Sequence, residues 1–287
     1  MDWAASRKAS FVWTEGRRTF ELRGNIPSMA AEADSRRMVI GGVVVYLSAP
    51  VAVREGRAFV SGRDFRKVIQ PFVSPAQTLP KSRIKTICLD AGHGGRDPGN
   101  LHGNLREKDL TLTLAQELEV LLRQAGYKVV MTRSADSYPE LEDRPSLANR
   151  RKADLFISLH FNSVPDGEGV RGCETFCLTP AGHASTNERQ SSGSAMFAGN
   201  RNDASNLMLA YQVQKALVTR LGAEDRGVKQ QRFAVLKTTT MPAILVEAGF
   251  LTDPQEARQL ASKKHLVRIA QAVHSGIEAY RRLVERP

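Results

Sequence analysis

From Ile84 onward, short apolar runs alternate with longer segments that carry apolar residues at helical spacing. Leu110, Leu114 and Leu118 recur every four residues and predict an amphipathic helix that Gly126 ends. Alternation of this kind favours an α/β fold with a mostly parallel, twisted sheet flanked by helices. Strands are predicted at 84–89, 129–131, 155–159, 172–178, 233–236 and 243–246, and further helices at 141–151, 209–221 and 266–284.

The first 80 residues show a different pattern, of short β-strands without a long helix. Apolar residues flank Glu15-Gly16 and again flank Gly41-Gly42, which predicts two hairpins with glycine-containing turns. The segment 74–83 contains two prolines and has little to bury, which indicates a domain boundary. We therefore expect a small β-rich N-terminal domain at 1–80 and a larger α/β domain at 81–287.

The net charge of +11 is concentrated in the N-terminal part. Residues 1–83 contain 14 Lys and Arg against 7 Asp and Glu, whereas residues 84–287 contain 27 against 23. A basic module beside a nearly balanced body suggests contact with a polyanion: a nucleic acid, a membrane surface or an acidic wall polymer. Solubility alone is the other interpretation.

Neither a membrane span nor a disulfide framework is expected. The longest uncharged stretch, 38–53, has 16 residues and is interrupted by glycines and a proline. No basic-then-apolar leader opens the chain, so an exported protein would already have lost it. The three cysteines are too few for a framework, and Cys173 and Cys177 are expected to be buried apolar residues.

Polar residues stand where three of the predicted strands end. His93 lies in a glycine-rich loop after the first strand of the body, His160 ends the third, and Glu247 ends the last. Glu107 opens the helix after the His93 loop. Because ligands of open α/β sheets bind at the carboxyl ends of the strands, these four side chains are candidates for one site.

Two imidazoles and one carboxylate, with a fourth position left to water, form the ligand set of a hydrolytic zinc site. A second carboxylate can then accept a proton from water, and Glu107 and Glu247 fit the ligand and base roles in that order. Other interpretations stay open: hydrogen-bonded structural histidines, a capping box between Asn104 and Glu107, and a solvated strand end at Glu247. The glycine loop lacks the Gly-Lys-Ser/Thr of a phosphate-binding loop.

Taken together, the motifs of the body resemble those of the zinc-dependent N-acetylmuramoyl-L-alanine amidases used in bacterial cell separation. The resemblance covers about residues 84–284. The matching segments are Leu89–Gly99, Glu107–Leu112, Gly126–Arg133, Leu141-x-x-Arg144 with Ala148-Asn149, Ala153–Asn162, Asp225–Lys229 and Met241–Phe250.

This resemblance implies that His93, Glu107 and His160 hold Zn²⁺ and that Glu247 is the catalytic carboxylate. It implies hydrolysis of the amide between N-acetylmuramic acid and L-alanine in peptidoglycan, a periplasmic or cell-wall location, and a protein activator. The basic N-terminal domain would bind an anionic wall polymer. A zinc peptidase that cuts within the stem peptide and a non-catalytic wall-binding protein are the alternatives. No nucleic acid is expected, because the basic excess lies outside the body.

A long polar segment, 179–205, is predicted to be a mobile, substrate-facing loop without a stable helix. The sequence leaves open whether this segment inhibits the site. The remaining histidines, among them His183, are expected at the surface.

Overall fold

Eleven strands form one continuous sheet in the computed structural model, which describes residues 3–14, 18–164, 169–190, 193 and 195–286. The N-terminal part contributes α1 (Trp3–Ser6), β1 (Ser10–Thr14), β2 (Thr19–Gly24), β3 (Ile26–Glu32), β4 (Arg37–Ile40) and β5 (Val43–Tyr46). A separate hairpin and short helical turns follow: β6 (Ala52–Arg54), β7 (Arg57–Phe59), α2 (Gly62–Asp64), a π-helical turn (Phe65–Ile69), α3 (Gln70–Val73) and α4 (Pro75–Thr78).

The body alternates strands and helices. Its elements are β8 (Thr86–Ala91), β9 (Leu101–His102), β10 (Leu105–Arg106), α5 (Glu107–Gln124), β11 (Lys128–Met131), α6 (Asp143–Arg150), β12 (Leu155–Asn162), β13 (Cys173–Leu178), a 3₁₀ helix (Ala198–Asn202), α7 (Asp203–Leu221), β14 (Asp225–Gln231), α8 (Ala234–Lys237), β15 (Ala243–Phe250), α9 (Pro254–Leu260) and α10 (Lys263–Val284). The strand order in the large sheet is β1-β2-β3-β4-β5-β14-β13-β15-β12-β8-β11.

The predicted fold class is confirmed. All strand pairs of the body in the large sheet are parallel except β13 with β15, and the N-terminal strands form an antiparallel meander. Helices α5, α7 and α10 share the larger core with the strands, and α5 buries the leucines predicted from their spacing. The Gly41-Gly42 turn joins β4 to β5 with both φ angles positive, as glycine permits. The predicted turn at Glu15-Gly16 lies outside the described residues, although the strands on either side of it pair as predicted.

The N-terminal strands continue the sheet of the body. Strand β5 pairs in parallel with β14 through Val45 and Val228, which are both fully buried. Tyr211 on α7 donates a hydrogen bond of 2.9 Å to the carbonyl oxygen of Ile40 at the end of β4. The N-terminal strands and the helices of the body thus share one core, and the division at residue 80 stays a prediction about folding units.

One predicted strand is wrong and another strand was not predicted. The apolar run 233–236 belongs to a short helix, α8 (Ala234–Lys237), which packs against β13 and β15. The fifth body strand in the large sheet is instead β14 (Asp225–Gln231), whose sequence has mostly polar and charged residues. Pairing on both sides, with β13 and β5, places this polar sequence within the sheet despite its weak strand pattern.

The segment after β13 is anchored by two arginines. Arg36, before β4, donates hydrogen bonds to the carbonyl oxygens of Thr186 and Glu188. Arg232 donates hydrogen bonds to the carbonyl oxygen of His183 and to the carboxylate of Glu188. His183 is 3 % exposed, so its expected surface position is wrong. Between 179 and 202, the described residues contain no α-helix, only the 3₁₀ helix.

Cys88, Cys173 and Cys177 are free and buried, as expected for the latter two. Among the described residues, no helix is long and apolar enough to cross a membrane.

Candidate metal centre and catalytic carboxylate

Three of the four predicted side chains converge at the carboxyl ends of β8 and β12. Nε2 of His93 lies 3.0 Å from Oε1 of Glu107, and Nδ1 of His160 lies 2.9 Å from the same oxygen. One donor atom from each residue can be chosen such that all three lie within 4.8 Å of one another. His93 lies in the loop after β8, Glu107 is the first residue of α5, and His160 is near the end of β12.

Glycines allow these side chains to approach each other. A Cβ atom on Gly92 would collide with the His160 ring, and one on Gly99 would lie 2.7 Å from both Oε2 of Glu107 and Cδ2 of His93. His93 itself has a φ of 61°, which is uncommon for a residue with a side chain. Strained backbone of this kind is often held at functional sites by surrounding contacts.

Two buried arginines supply those contacts. Arg144 on α6 donates hydrogen bonds of 2.9 Å to the carbonyl oxygen of His93 and to Oδ1 of Asp90. Arg133, after β11, donates 2.8 Å and 2.7 Å hydrogen bonds to the carbonyl oxygens of Gly92 and Lys108. Both arginines therefore fix the backbone that carries His93 and Glu107, a positioning role that the sequence reasoning missed, although both lie in its matching segments.

The Glu107 carboxylate is held as an anion. Its oxygens accept hydrogen bonds from the backbone N–H of Asn100 and of Phe161, at 2.9 Å and 3.1 Å. Burial by itself raises the pKa of Glu107, but the hydrogen bonds and charges of His160 and His93 outweigh it and lower the pKa far below the ordinary value. Arg106 occupies the N-cap position of α5 and the Glu107 carboxylate faces the histidines, so the capping-box interpretation is wrong.

Asp97 orients the ring of His93. Its Oδ2 lies 2.8 Å from Nδ1 of His93, which leaves Nε2 facing Glu107. Burial lowers the pKa of His93, but the hydrogen bonds and charges of Glu107 and Asp97 raise it by more than burial lowers it. The pKa of His93 is therefore above its ordinary value. A carboxylate behind a histidine is the usual outer partner of a metal-binding imidazole.

The donor set fits a zinc ion. Two imidazole nitrogens and one carboxylate oxygen converge, and each can bind a divalent cation. The low pKa of Glu107 keeps its carboxylate available as a ligand. A cation placed among these three donor atoms, which lie within 4.8 Å of one another, would satisfy them together.

Glu247 lies beside this cluster on the same face of the sheet. On β15 it is in register with His160 of β12 on one side and with Glu174 of β13 on the other. Its Oε2 atom is buried and has no hydrogen-bond partner among the described residues. Burial, then the charges of Glu107 and Glu174, raise the pKa of Glu247 well above its ordinary value, while Lys229 acts in the opposite direction. The residue as a whole is half-buried and its Oε2 atom is fully buried, so Glu247 is not a fully solvated strand end.

A polar network adjoins Glu247. Glu174 is 3 % exposed and accepts hydrogen bonds from Nδ2 of Asn162, at 2.8 Å, and from Nζ of Lys229. Sequence reasoning missed this network because only long-range pairing brings β13 beside β15 and β14 beside β13. Asn162 and Lys229 both lie within the matching segments, which is the signal that could have indicated them.

Comparisons with a protein family and with individual proteins all match the body of the chain. A family model described as N-acetylmuramoyl-L-alanine amidase matches residues 87–279. YqiI of Bacillus subtilis is 33 % identical over 205 residues, which are 71 % of this chain and 89 % of YqiI. The N-acetylmuramoyl-L-alanine amidase LytC of the same organism is 33 % identical over 69 % of this chain, but the match spans only 36 % of LytC.

Solved structures agree. An N-acetylmuramoyl-L-alanine amidase from Clostridium difficile 630 is 34 % identical, with a TM-score of 0.59 and coverage of 69 % of this chain and 97 % of that one. The CwlD amidase of Clostridioides difficile, solved in complex with the GerS lipoprotein, is 28 % identical with a TM-score of 0.57, over 68 % and 98 % of the two chains. With the family match extending from β8 into α10 and enclosing the whole site, the chain belongs to the N-acetylmuramoyl-L-alanine amidase family.

Proposed function

We propose that this protein is a zinc-dependent hydrolase that cleaves the amide bond between N-acetylmuramic acid and the L-alanine of peptidoglycan stem peptides. The observation that carries the proposal is the unpartnered, buried Oε2 of Glu247 beside the cluster of His93, Glu107 and His160. A buried carboxylate without a partner is costly, and it persists where it has a chemical role.

His93, Glu107 and His160 would hold the zinc ion. When bound, zinc would polarise the amide carbonyl and lower the pKa of water. The residues around these ligands keep their geometry fixed, because Asp97 orients His93 and the two buried arginines hold the loop backbone.

Glu247 moves the proton. Its raised pKa favours acceptance of a proton from the attacking water, whose oxygen forms the new bond to the lactyl carbonyl carbon. As the carbon–nitrogen bond breaks, Glu247 returns the proton to the alanine nitrogen, which leaves as a neutral amine. Glu107 is unsuited to this role because its pKa is held low by the two histidines.

Digestion of insoluble peptidoglycan by the zinc-loaded protein tests this function. Mass spectrometry should detect stem peptides that begin with a free alanine amine, and glycan strands that keep the lactyl carboxylate. A chelator and the Glu247→Gln variant are the matched controls, and both should abolish release. Cuts within the stem would instead identify a zinc peptidase, and wall binding by a protein that retains no zinc would identify a non-catalytic wall-binding protein.

The proposal also includes where the protein acts and what it binds besides its substrate. The net charge of the first 83 residues supports binding to an anionic wall polymer, and the family supports a periplasmic or cell-wall location and a role in wall remodelling or cell separation. Because CwlD was solved with the lipoprotein GerS, a protein activator is part of this proposal.

Co-sedimentation of the protein with insoluble wall should fall as salt rises from 0.1 M to 1 M, since the Debye length shortens from about 10 Å to about 3 Å. Binding that does not change with salt would contradict the electrostatic attachment.

A further inference from the structure

A row of side chains crosses the sheet from the metal cluster to the N-terminal part. His160 on β12, Glu247 on β15 and Glu174 on β13 are register partners in succession. Lys229 on β14 continues the row, since its Nζ contacts the Glu174 carboxylate. Tyr46 on β5 follows, with its ring centre 6.0 Å from Nζ of Lys229.

These side chains lie on one face of the sheet. Val45 and Val228 pair across β5 and β14 and are fully buried in the core that includes α7 and α10. Because side chains alternate along a strand, the next residues, Tyr46 and Lys229, point to the opposite face. That face carries Glu247, so Tyr46 belongs to the same surface as the proposed catalytic carboxylate.

Arg226 is the more weakly paired of the two basic side chains that face Glu174. Glu174 already contacts Lys229, and Nε of Arg226 lies at the longer distance of 3.4 Å from the same oxygen. The side chain of Arg226 is 29 % exposed and lies 4.9 Å above the Phe250 ring. Among the described residues, its one further ion-pair partner is the exposed Glu224, at 3.8 Å. Its guanidinium can therefore take an additional carboxylate.

The side chain of Tyr46 is also available to contact a ligand. Its side chain is partly exposed at the end of β5, and its hydroxyl makes no hydrogen bond to any described residue. Neighbouring strands lie about 4.8 Å apart, so β5 is about 14 Å from β15, three strands away. The register places Tyr46 level with Leu245, two residues along β15 from Glu247, which brings the distance between Tyr46 and Glu247 to about 16 Å. An extended peptide advances about 3.4 Å per residue, so about four to five residues span this distance.

We propose that Arg226, Lys229 and Tyr46 form the subsite for the stem peptide on the leaving side of the scissile amide. This inference rests on the amidase function proposed above. Arg226 binds a free carboxylate of the peptide, and Tyr46 contacts the peptide about four to five residues from the scissile bond. A peptide suits the row better than a glycan strand, because Arg226 and Lys229 complement carboxylates that neutral sugars lack. The N-terminal part then supplies a substrate-binding residue as well as charge.

Kinetics on soluble muropeptides with stems of two and four residues test the role of Tyr46. Tyr46→Ala should raise KM for the four-residue stem about fivefold more than for the two-residue stem, consistent with losing one contact. Tyr46→Phe should retain most of the binding if the ring carries it. Phe59→Ala is the matched control, because Phe59 is an exposed aromatic residue of the N-terminal part that lies outside the row.

Arg226→Gln tests the carboxylate contact. The variant should raise KM for the natural substrate, and amidation of the peptide carboxylates should raise KM for the wild type by a similar factor. In the variant, amidation should have little further effect. Equal KM changes for both stem lengths in Tyr46→Ala, or a KM change that follows glycan length, would overturn the subsite, as would full additivity of Arg226→Gln with amidation.

A binding measurement separates this inference from the proposed function. If the wild type cleaves neither muropeptide, the amidase function fails, and calorimetric titration of the free four-residue stem peptide into the zinc-loaded wild type and Tyr46→Ala then decides the subsite. Weaker binding by Tyr46→Ala supports the subsite, and equal or undetectable binding by the two proteins overturns it. Zinc content and thermal unfolding of each variant should match the wild type.

Discussion

The two halves of the eleven-stranded sheet bury different kinds of side chain. Among the described residues of β1–β5, every buried side chain is apolar, as with Phe20, Met38 and Val45. The body buries Asp90, Glu107, Arg133, Arg144 and Glu174 close to its strand ends. Apolar packing stabilises a sheet without demanding one geometry, whereas a buried charge needs its partner in place. The comparison indicates that the body is organised around a site and the N-terminal half around a shared core.

The largest expected effect concerns turnover in the body. Glu247→Gln should lower turnover of a soluble muropeptide by roughly 10² to 10⁴ fold, as expected for removing a general base. The matched substitution Glu119→Gln, twelve residues along α5 from Glu107 and paired with Arg123, should leave turnover unchanged. Steady-state kinetics on both variants measure this difference. Retention of more than a tenth of the activity in Glu247→Gln would show that another group moves the proton.

The next largest effect is expected on stability, from breaking the buried ion pair between Arg144 and Asp90. Arg144→Met leaves Asp90 buried with its ion pair broken, so we expect the free energy of unfolding to fall by about 3–5 kcal/mol. Arg150→Met on the same helix is the control, and removal of this exposed arginine should cost at most about 0.5 kcal/mol. Urea denaturation measures both. Equal losses in the two variants would show that the Arg144 contacts are dispensable.

The sequence predicted which side chains lie close together better than it predicted the order of the strands. His93, His160 and Glu247 each follow an apolar run, so the ends of the strands were visible without the fold. The polar strand β14 was not, because Arg226 and Lys229 give it no apolar alternation, and the apolar run from Phe233 was predicted as a strand although it leads into α8. Their positions depend on pairing with β5 and β13, which no local pattern encodes.

The N-terminal half should respond to a smaller, apolar change. Val45→Ala removes buried methyl groups at the seam between β5 and β14, and it should lower the free energy of unfolding by about 2 kcal/mol. Val12→Ala, at an exposed position of β1, is the control. If urea denaturation shows one transition for the wild type that shifts as a whole in Val45→Ala, the halves unfold together. A separate early transition confined to the N-terminal half would instead support independent domains at 1–80 and 81–287.

The smallest effect is a pH dependence with opposite signs at two glutamates. The pKa of Glu247 is raised in the folded chain, so ionisation favours the unfolded state as pH rises above about 4.3, the ordinary glutamate value. In metal-free protein, Glu247→Gln should therefore gain stability relative to the wild type between pH 4 and pH 8. The pKa of Glu278 is lowered by Tyr127 and Arg281 against the effect of burial, so Glu278→Gln should lose relative stability as pH rises toward about 4.3 and change little above about pH 6. Thermal unfolding in a chelator measures both, and a difference that does not change with pH at Glu247 would contradict its raised pKa.

Zinc content per chain tests most directly whether the site divides into three ligands and one proton carrier. After saturation with zinc and removal of the excess, the wild type and Glu247→Gln should each retain about one zinc ion, and His160→Ala should retain much less, since it lacks one of three ligands. His93→Ala and Glu107→Ala should behave like His160→Ala. Full retention of zinc in His160→Ala, or loss of zinc in Glu247→Gln, would contradict the assignment.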